Sequence, residues 1–288
     1  MGRIGSKIAS GKVRDVYDVG EHLILVTTDR VSAYDVVMHE LIPRKGIVLN
    51  KISAFWFDLT KDILPNHLVS TDSEVFPKEF QTDEFAGRSM LVKKLMMLPV
   101  ECIVRGYITG QGWEVYQETG EISGTVLPEG LQEFEKLPEP IFTISTKAEE
   151  GHDELISFEE SVALIGEEHA MAIRDKSLEV YKACADFALE RGIIIADTKF
   201  EFGLDEDGVL TLADEVVTPD SSRFWDSGKY SLGKVPESYD KQILRNWLLS
   251  TSWNKTPPPP ELPQKVIDKV AKRYLEIYEK LTGEKIET

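Results

Sequence analysis

The stretch IIIADTKFEFGLDEDGVLTLADEVVTPDSSRFWD, residues 193–226, decides how this chain folds. Its β-branched opening, Ile193 to Ile195, starts a strand, and Phe200, Phe202 and Leu204 then alternate with Lys199, Glu201 and Gly203 as on a half-buried strand. DEDG at 205–208 is turn chemistry, and VLTLADEVV supplies the return strand. With Leu204 opposite Val209, Glu201 faces Leu212 and Lys199 faces Asp214, so Glu201 and Asp214 become diagonal neighbours on one face. Diagonal cross-strand residues lie roughly 7–8 Å apart, close enough for two carboxylates to turn onto one divalent cation. Magnesium takes one or two carboxylates and completes its shell with phosphate oxygens and water. Lys199, on the same face, would meet those phosphates as a point charge. A slip of one residue would send one carboxylate to the other face. A solvated, salt-bridged hairpin is the alternative; an aromatic strip on one face and mixed charge on the other favour a site.

Around that hairpin, 288 residues with 42% apolar composition hold one large domain or two of ordinary size. No run approaches the roughly 20 apolar residues of a membrane span, and MGRIGSKIASGKVRD lacks an apolar signal region, so a cytoplasmic chain is expected. A net charge of -17 argues against non-specific nucleic-acid binding, yet leaves room for a basic pocket that takes small anions. Cys102 and Cys184 show no CxxC spacing and the histidines no HExxH, which points to reduced thiols and against zinc.

Residues 8–30 read as two strands joined by DVGEH, with Gly11 in a bend where the backbone can approach a ligand. Lys12 and Arg14 alternate with Val13 and share a face, a plausible phosphate cover, although GKVRD is no GxxxxGK[ST] loop. TTDRVSAYD, 27–35, offers Asp29, Ser32 and Asp35 at a strand end. Ile52, Phe55, Trp56, Leu59 and Ile63 recur at helical spacing, which predicts a helix with Asn50 as its cap, followed by a polar loop over 70–88. Two strand-like runs then flank Leu98-Pro99, a link that reads as a hinge, where Met96, Met97 and Leu98 can receive an adenine edge. Arg105 leaves its strand into the glycine-rich turn RGYITGQGW, suited to bidentate capture of a phosphate or carboxylate. Residues 117–140 read as a surface excursion, and Lys147 and Asp153 stand in a loop ahead of an acidic helix start. A helix over about 169–191 feeds the Ile193 strand, Lys241 and Arg245 fall on another, and a last helix runs from Pro263 to Gly283.

GKVRDVY, TTDRVSAYD, IPRKGIVLNKIS, LMMLPVECIVRGYITG, TKAEEGHDE, IIIADTKFEFG, ADEVVTPDSSRFWD and YDKQILRNWL together resemble the SAICAR synthase (phosphoribosylaminoimidazole-succinocarboxamide synthase) family of purine biosynthesis. They occur in family order over about residues 8–282, and the GYITG and DKQILRNWL stretches look like the longer form found in fungi and some bacteria. The resemblance implies an ATP-dependent ligase that joins L-aspartate to the carboxylate of CAIR (5-amino-4-carboxyimidazole ribonucleotide), releasing ADP and phosphate through an acyl phosphate. Such chemistry gathers several anions and needs a metal, here Mg2+, and cations more than a covalent nucleophile. By resemblance Gly11, Lys12, Arg14 and Lys199 cover the ATP phosphates, while Lys93, Met96, Leu98 and Glu101 complete the nucleotide set. Glu201 and Asp214 match the metal positions. Arg105, Ser222, Arg223 and Lys241 match positions that hold substrate phosphate and carboxylates, and Asp35, Lys147 and Asp153 line the CAIR and aspartate sites, with Asp197 beside Lys147 and Lys199 as the catalytic set. Many relatives carry Ser where Gln111 stands, which puts a hydroxyl contact to the CAIR phosphate in question.

The implied fold is α+β or α/β and two-lobed. An antiparallel β-rich lobe over 1–98, distantly like a kinase's small lobe, sits on a larger lobe over 99–288 that ends in helices, with ATP between them. A monomer or homodimer without nucleic-acid or membrane partners is expected. A kinase-like phosphotransferase would share the glycine bend, hinge and paired carboxylates, but HRD and DFG are missing; a regulatory nucleotide-binding module would not need the second anion pocket.

Overall fold

The computed structural model describes residues 5–147, 154–239 and 241–286. The chain opens with three antiparallel strands, β1 (Ser6–Ser10), β2 (Arg14–Asp18) and β3 (His22–Thr27), then the hairpin β4 (Arg30–Ala33) and β5 (Val36–Leu41). After helix α1 (Lys45–Thr60), β6 (Leu68–Ser70) and β7 (Ser89–Lys93) return to the first three, giving a sheet ordered β1-β2-β3-β7-β6. Strand alternation divides its apolar side chains between two faces. Leu25, Met90 and Val92 enter the main core, whereas Ile24 and Val26 meet Phe76 and Phe80 on the other side. The segment expected as a polar loop over 70–88 therefore carries two short 3-10 turns, Ser73–Val75 and Lys78–Phe80, because those phenylalanines must cover a sheet face.

Helix α1 starts at Lys45, five residues before the expected cap. Gly46 allows the early start: a Cβ there would stand 2.2 Å from the Thr27 carbonyl oxygen. Asp29 caps it, accepting the Gly46 amide at 2.9 Å, so this aspartate is structural. Asn50, inside the helix, instead donates to the Gly87 and Ser89 carbonyls at 3.0 and 3.1 Å and ties α1 to β7.

The chain crosses to a second sheet through β8 (Met96–Met97) and β9 (Val100–Tyr107). Then follow α2 (Gly110–Thr119), where a glycine-rich turn was expected, and the hairpin β10 (Glu121–Ile122) and β11 (Thr125–Val126), which closes a small core of Ile108, Ile122, Leu127, Leu137 and Ile141. β12 (Lys136–Thr146), β13 (Leu155–Ile156), α3 (Phe158–Ile165), α4 (Glu167–Leu189), β14 (Ile193–Leu204), β15 (Leu210–Ala213) and β16 (Ser222–Asp226) come next, and α5 (Gln242–Leu249) and α6 (Gln264–Thr282) end the chain. The sheet order is β13-β12-β9-β14-β15, with β16 and β8 also on β14. All named strand pairs are antiparallel, so of the two expected class labels α+β describes the molecule. One apolar cluster joins α1, α4, α6 and the inner face of this sheet, including Ile52, Trp56, Tyr181, Phe200, Phe202 and Tyr274.

The decisive hairpin forms with a register one residue away from expectation: Leu204 pairs with Leu210, and Glu201 with Ala213. Asp205 causes the shift. Its carboxylate accepts the amides of Asp207 at 3.1 Å and Val209 at 2.8 Å, building a longer turn. A regular pleat would then aim Asp214 at the core, but Asp214 takes a left-handed φ of 58° that breaks the strand and swings its carboxylate back towards Lys199 and Arg14.

Candidate active site

The site lies on the outer face of two adjacent strands. Asp197 of β14 is opposite Arg105 of β9, and Lys199 is opposite Ile103. Alternation therefore gathers Glu101 and Arg105 with Asp197, Lys199 and Glu201, while Cys102, Val104, Phe200 and Phe202 enter the core. Arg223 of β16 joins the group opposite Asp197.

At one end is an anion pocket. Asp197 accepts from Arg223 and, at 3.5 Å, from Arg105. A cavity of about 200 Å³ opens beside them, lined by Arg105, Gln111, Lys199, Ser221 and Arg223. Arg105 is 3% exposed and its Nε meets no acceptor among the described residues. Burial pushes its guanidinium pKa down, although Asp197 opposes the shift. A buried, under-partnered guanidinium is costly unless an anion completes it. The glycines of TGQG give it room: a Cβ on Gly112 would stand 3.3 Å from the Arg105 side chain. A smaller adjoining cavity of about 120 Å³ is lined by Asp220, Ser222, Arg223 and Arg245. Ser222 lines it with its hydroxyl already donated to Thr198 Oγ1 at 2.8 Å.

At the other end is an acid cluster threaded by cations. Lys199 donates to Glu101 and Glu201, both at 2.7 Å, and Lys147 pairs with Glu201. Arg14 reaches from the first sheet to pair with Asp214 and, at 3.2 Å, with Glu215. Burial alone would raise the Asp214 carboxyl; Arg14, Lys199 and Lys147 overcome it and hold it far below the usual range. Burial likewise works against the Lys199 ammonium, but Glu201, Asp214 and Glu101 outweigh it and raise its pKa. Among the described residues no three His, Cys, Asp or Glu side chains are grouped to hold a metal by themselves. Glu201 and Asp214, now paired with Lys199, Lys147 and Arg14, are of the donor type and number that magnesium takes, since it draws its remaining ligands from substrate and water.

Towards the other end of β2 from Arg14, residues of both sheets line a groove of about 860 Å³, among them His22, Lys93, Met96, Leu204 and Asp207. β2 alone spans about 13 Å in that direction, four steps of roughly 3.3 Å. Lys93 and Met96, which the resemblance assigns to the nucleotide set, both line this groove. Leu98 is absent from that lining: its side chain is buried and its amide donates to the Phe202 carbonyl at 2.9 Å. Asp35, with a left-handed φ of 63°, pairs with Lys12 at the exposed edge and lines neither anion cavity.

Lys241 is likewise absent from both cavity linings. It packs beneath the 219–223 loop, 3.6 Å from Asp220, which also accepts from fully buried Lys45 at 2.6 Å and Tyr274 at 2.6 Å. Burial lowers the Lys45 pKa against the pull of Asp220. Burial would raise Asp220, but Lys241 and Lys45 hold it well below its usual range. Arg245, one helical turn beyond Lys241, is the cation that reaches the cavity, and that i, i+4 spacing in DKQILRNW was the readable sign. Asp153 lies outside the described residues. Cys102 and Cys184 are fully buried with thiol pKa values pushed up, so neither is a nucleophile.

An α+β scaffold that sets a guanidinium pocket beside an acid–lysine cluster, next to a groove between two sheets, is that of an enzyme handling a nucleotide and a second anionic substrate. Comparison with known proteins narrows the class. The SAICAR synthetase family profile matches residues 7–260. The phosphoribosylaminoimidazole-succinocarboxamide synthase of Thermodesulfovibrio yellowstonii is 56% identical over 275 residues, covering 95% of this chain and 94% of that one. That of Syntrophobacter fumaroxidans is 54% identical over 280 residues, covering 96% and 93%. Among solved structures, SAICAR synthase from Saccharomyces cerevisiae complexed with SAICAR superposes with a TM-score of 0.91 at 44% identity, covering 98% and 96%. A SAICAR synthetase in complex with ADP gives a TM-score of 0.73 at 26% identity, covering 97% and 99%. The chain belongs to the SAICAR synthetase family, the ligases of purine biosynthesis.

Proposed function

We propose that the chain condenses CAIR with L-aspartate to SAICAR, using ATP and releasing ADP and phosphate. One observation carries the mechanism: Asp197, Lys199 and Glu201 follow one another on a single face of β14, so the anion pocket and the acid–lysine cluster are contiguous. Arg105, Arg223, Gln111 and Arg245 would hold the phosphate and carboxylate of CAIR, aligning the acid that must be activated. Gly11, Lys12 and Arg14 would cover the nucleotide phosphates from the first sheet, with Lys93 and Met96 along the groove. Bound at Glu201 and Asp214, Mg2+ would neutralise charge between the nucleotide and the substrate acid. Lys199 and Lys147 would exchange their carboxylate partners for transferring oxygens, and the aspartate amine would then attack the acyl phosphate.

Support for the nucleotide comes from the ADP-bound relative, and support for the product from the SAICAR-bound one. We further infer a nucleotide-binding lobe over 1–98 and a substrate-binding lobe over 99–288, in a cytoplasmic monomer or homodimer. ADP release measured with CAIR, with and without aspartate, tests the reading: SAICAR formation must need all three substrates. ADP released at equal rate with neither CAIR nor aspartate present would overturn it.

A further inference from the structure

Arg30 lines none of the cavities described above and belongs to neither half of the site, yet it holds the hairpin between β1 and β2. Its guanidinium donates to the Lys12 carbonyl at 3.2 Å, to the Gly11 carbonyl at 3.1 Å and to Asp15 at 2.7 Å. The Val13 carbonyl accepts from the Thr28 amide at 2.9 Å and its hydroxyl at 2.8 Å, and the Arg14 carbonyl accepts the Gly11 amide at 2.7 Å. Four consecutive carbonyls, 11 to 14, are thus turned towards the protein. Among the described residues the amides of Lys12 and Val13 meet no acceptor. A tight turn whose carbonyls are tied back and whose successive amides are unspent presents a positive edge, the arrangement that receives phosphate. Asp15 completes the clamp: it accepts from Ser10 at 2.6 Å and Lys7 at 3.0 Å as well as from Arg30.

We infer that Arg30 is a positioning residue which, through Asp15, fixes the Gly11–Val13 hairpin so that its amides face the terminal phosphates of the nucleotide. The inference rests on the nucleotide reading above and adds to it a residue that touches no substrate. Lysine cannot replace the arginine, because one ammonium cannot span two carbonyls and a carboxylate as a planar fork does.

The test is calorimetric titration of the full chain with the imido analogue of ATP and, separately, with AMP, for the native protein, Arg30→Lys and Arg30→Gln. Loss of one charge-assisted contact predicts triphosphate affinity lowered about tenfold in Arg30→Lys and further in Arg30→Gln, with AMP affinity unchanged because the hairpin lies over the phosphates. Should Arg30→Gln fail to melt cooperatively, Arg30→Lys decides. Folded variants that bind the triphosphate like the native chain would overturn the clamp, as would equal losses for AMP and triphosphate, which mark a merely structural arginine. A native chain that binds neither nucleotide would instead overturn the function on which the clamp depends.

Discussion

Gly110 and Arg223 are so close that a Cβ on the glycine would stand 2.4 Å from a guanidinium nitrogen, and Gly110 has a left-handed φ of 55°. The obstructed atom is the end of a flexible side chain, so the fold can yield cheaply; what yields is the cation facing the anion pocket. Gly110→Ala should therefore cost stability only about 1 kcal/mol through its φ, while raising the KM for CAIR about tenfold or more, the loss of one bond to a charged group. Steady-state kinetics beside a thermal melt check this, and a stability loss without a change in KM would refute the packing argument.

Arg105 is buried, and its planar fork meets Asp197 on one side and the cavity on the other. Arg105→Lys keeps the charge and loses the bidentate geometry. CAIR affinity should fall, with ATP affinity little changed, and binding measured separately for the two ligands distinguishes this from general damage.

Glu201 and Asp214 predict a metal requirement that moves with mutation. Glu201→Gln and Asp214→Asn should each lower turnover by about a hundredfold or more and raise the magnesium concentration needed for half-maximal rate. Arg14 retains Glu215 at 3.2 Å in the Asp214 variant, so cooperative melting should persist. Manganese binding followed by its paramagnetic signal gives a readout independent of turnover; native-like binding in both variants would remove these residues from the metal site.

The buried network predicts asymmetric costs. Asp220→Asn removes the carboxylate that both Lys45 and Lys241 face, leaving Lys45 only the weaker pull of Glu215, and should destabilise by about 3–5 kcal/mol. Lys45→Met leaves Asp220 with Lys241 and Tyr274 and should cost clearly less, because the carboxylate stays partnered. Denaturant unfolding of both variants measures the difference, and equal losses would show that Lys241 does not share the charge.

These costs also explain what the sequence could tell and what it could not. Strand alternation placed Arg105 and the Asp197–Lys199–Glu201 series on their strands, and eight ordered motifs carried the family, because each signal is local. The hairpin register was misjudged by one because Asp205 bonds its own turn, and Asp214 returned to the site only through a left-handed residue that periodicity does not encode. Lys45 and Asp220 are 175 residues apart, and a buried lysine in a helix's first turn looks in sequence like a solvated one. Leu98 could not be read from sequence as a buried side chain whose amide bonds the Phe202 carbonyl, because that partner lies across the sheet crossing.

Asp15 makes the hairpin between β1 and β2 sensitive to acid. Burial would raise its carboxyl, but hydrogen bonds from Arg30, Ser10 and Lys7 prevail and bring it down to about 2 from an unfolded value of 3.8. Between those two values the unfolded chain binds a proton that the folded hairpin refuses, so stability rises with pH across the window. The contribution of Asp15 is complete above pH 3.8 and is lost as pH falls towards about 2. Asp15→Asn should therefore unfold with a shallower dependence on pH between those limits than the native chain, while being less stable at neutral pH because Arg30 and Lys7 lose their shared anion. Urea midpoints taken across that range measure both effects, and parallel pH profiles for the two proteins would show that Asp15 is not held below its ordinary value.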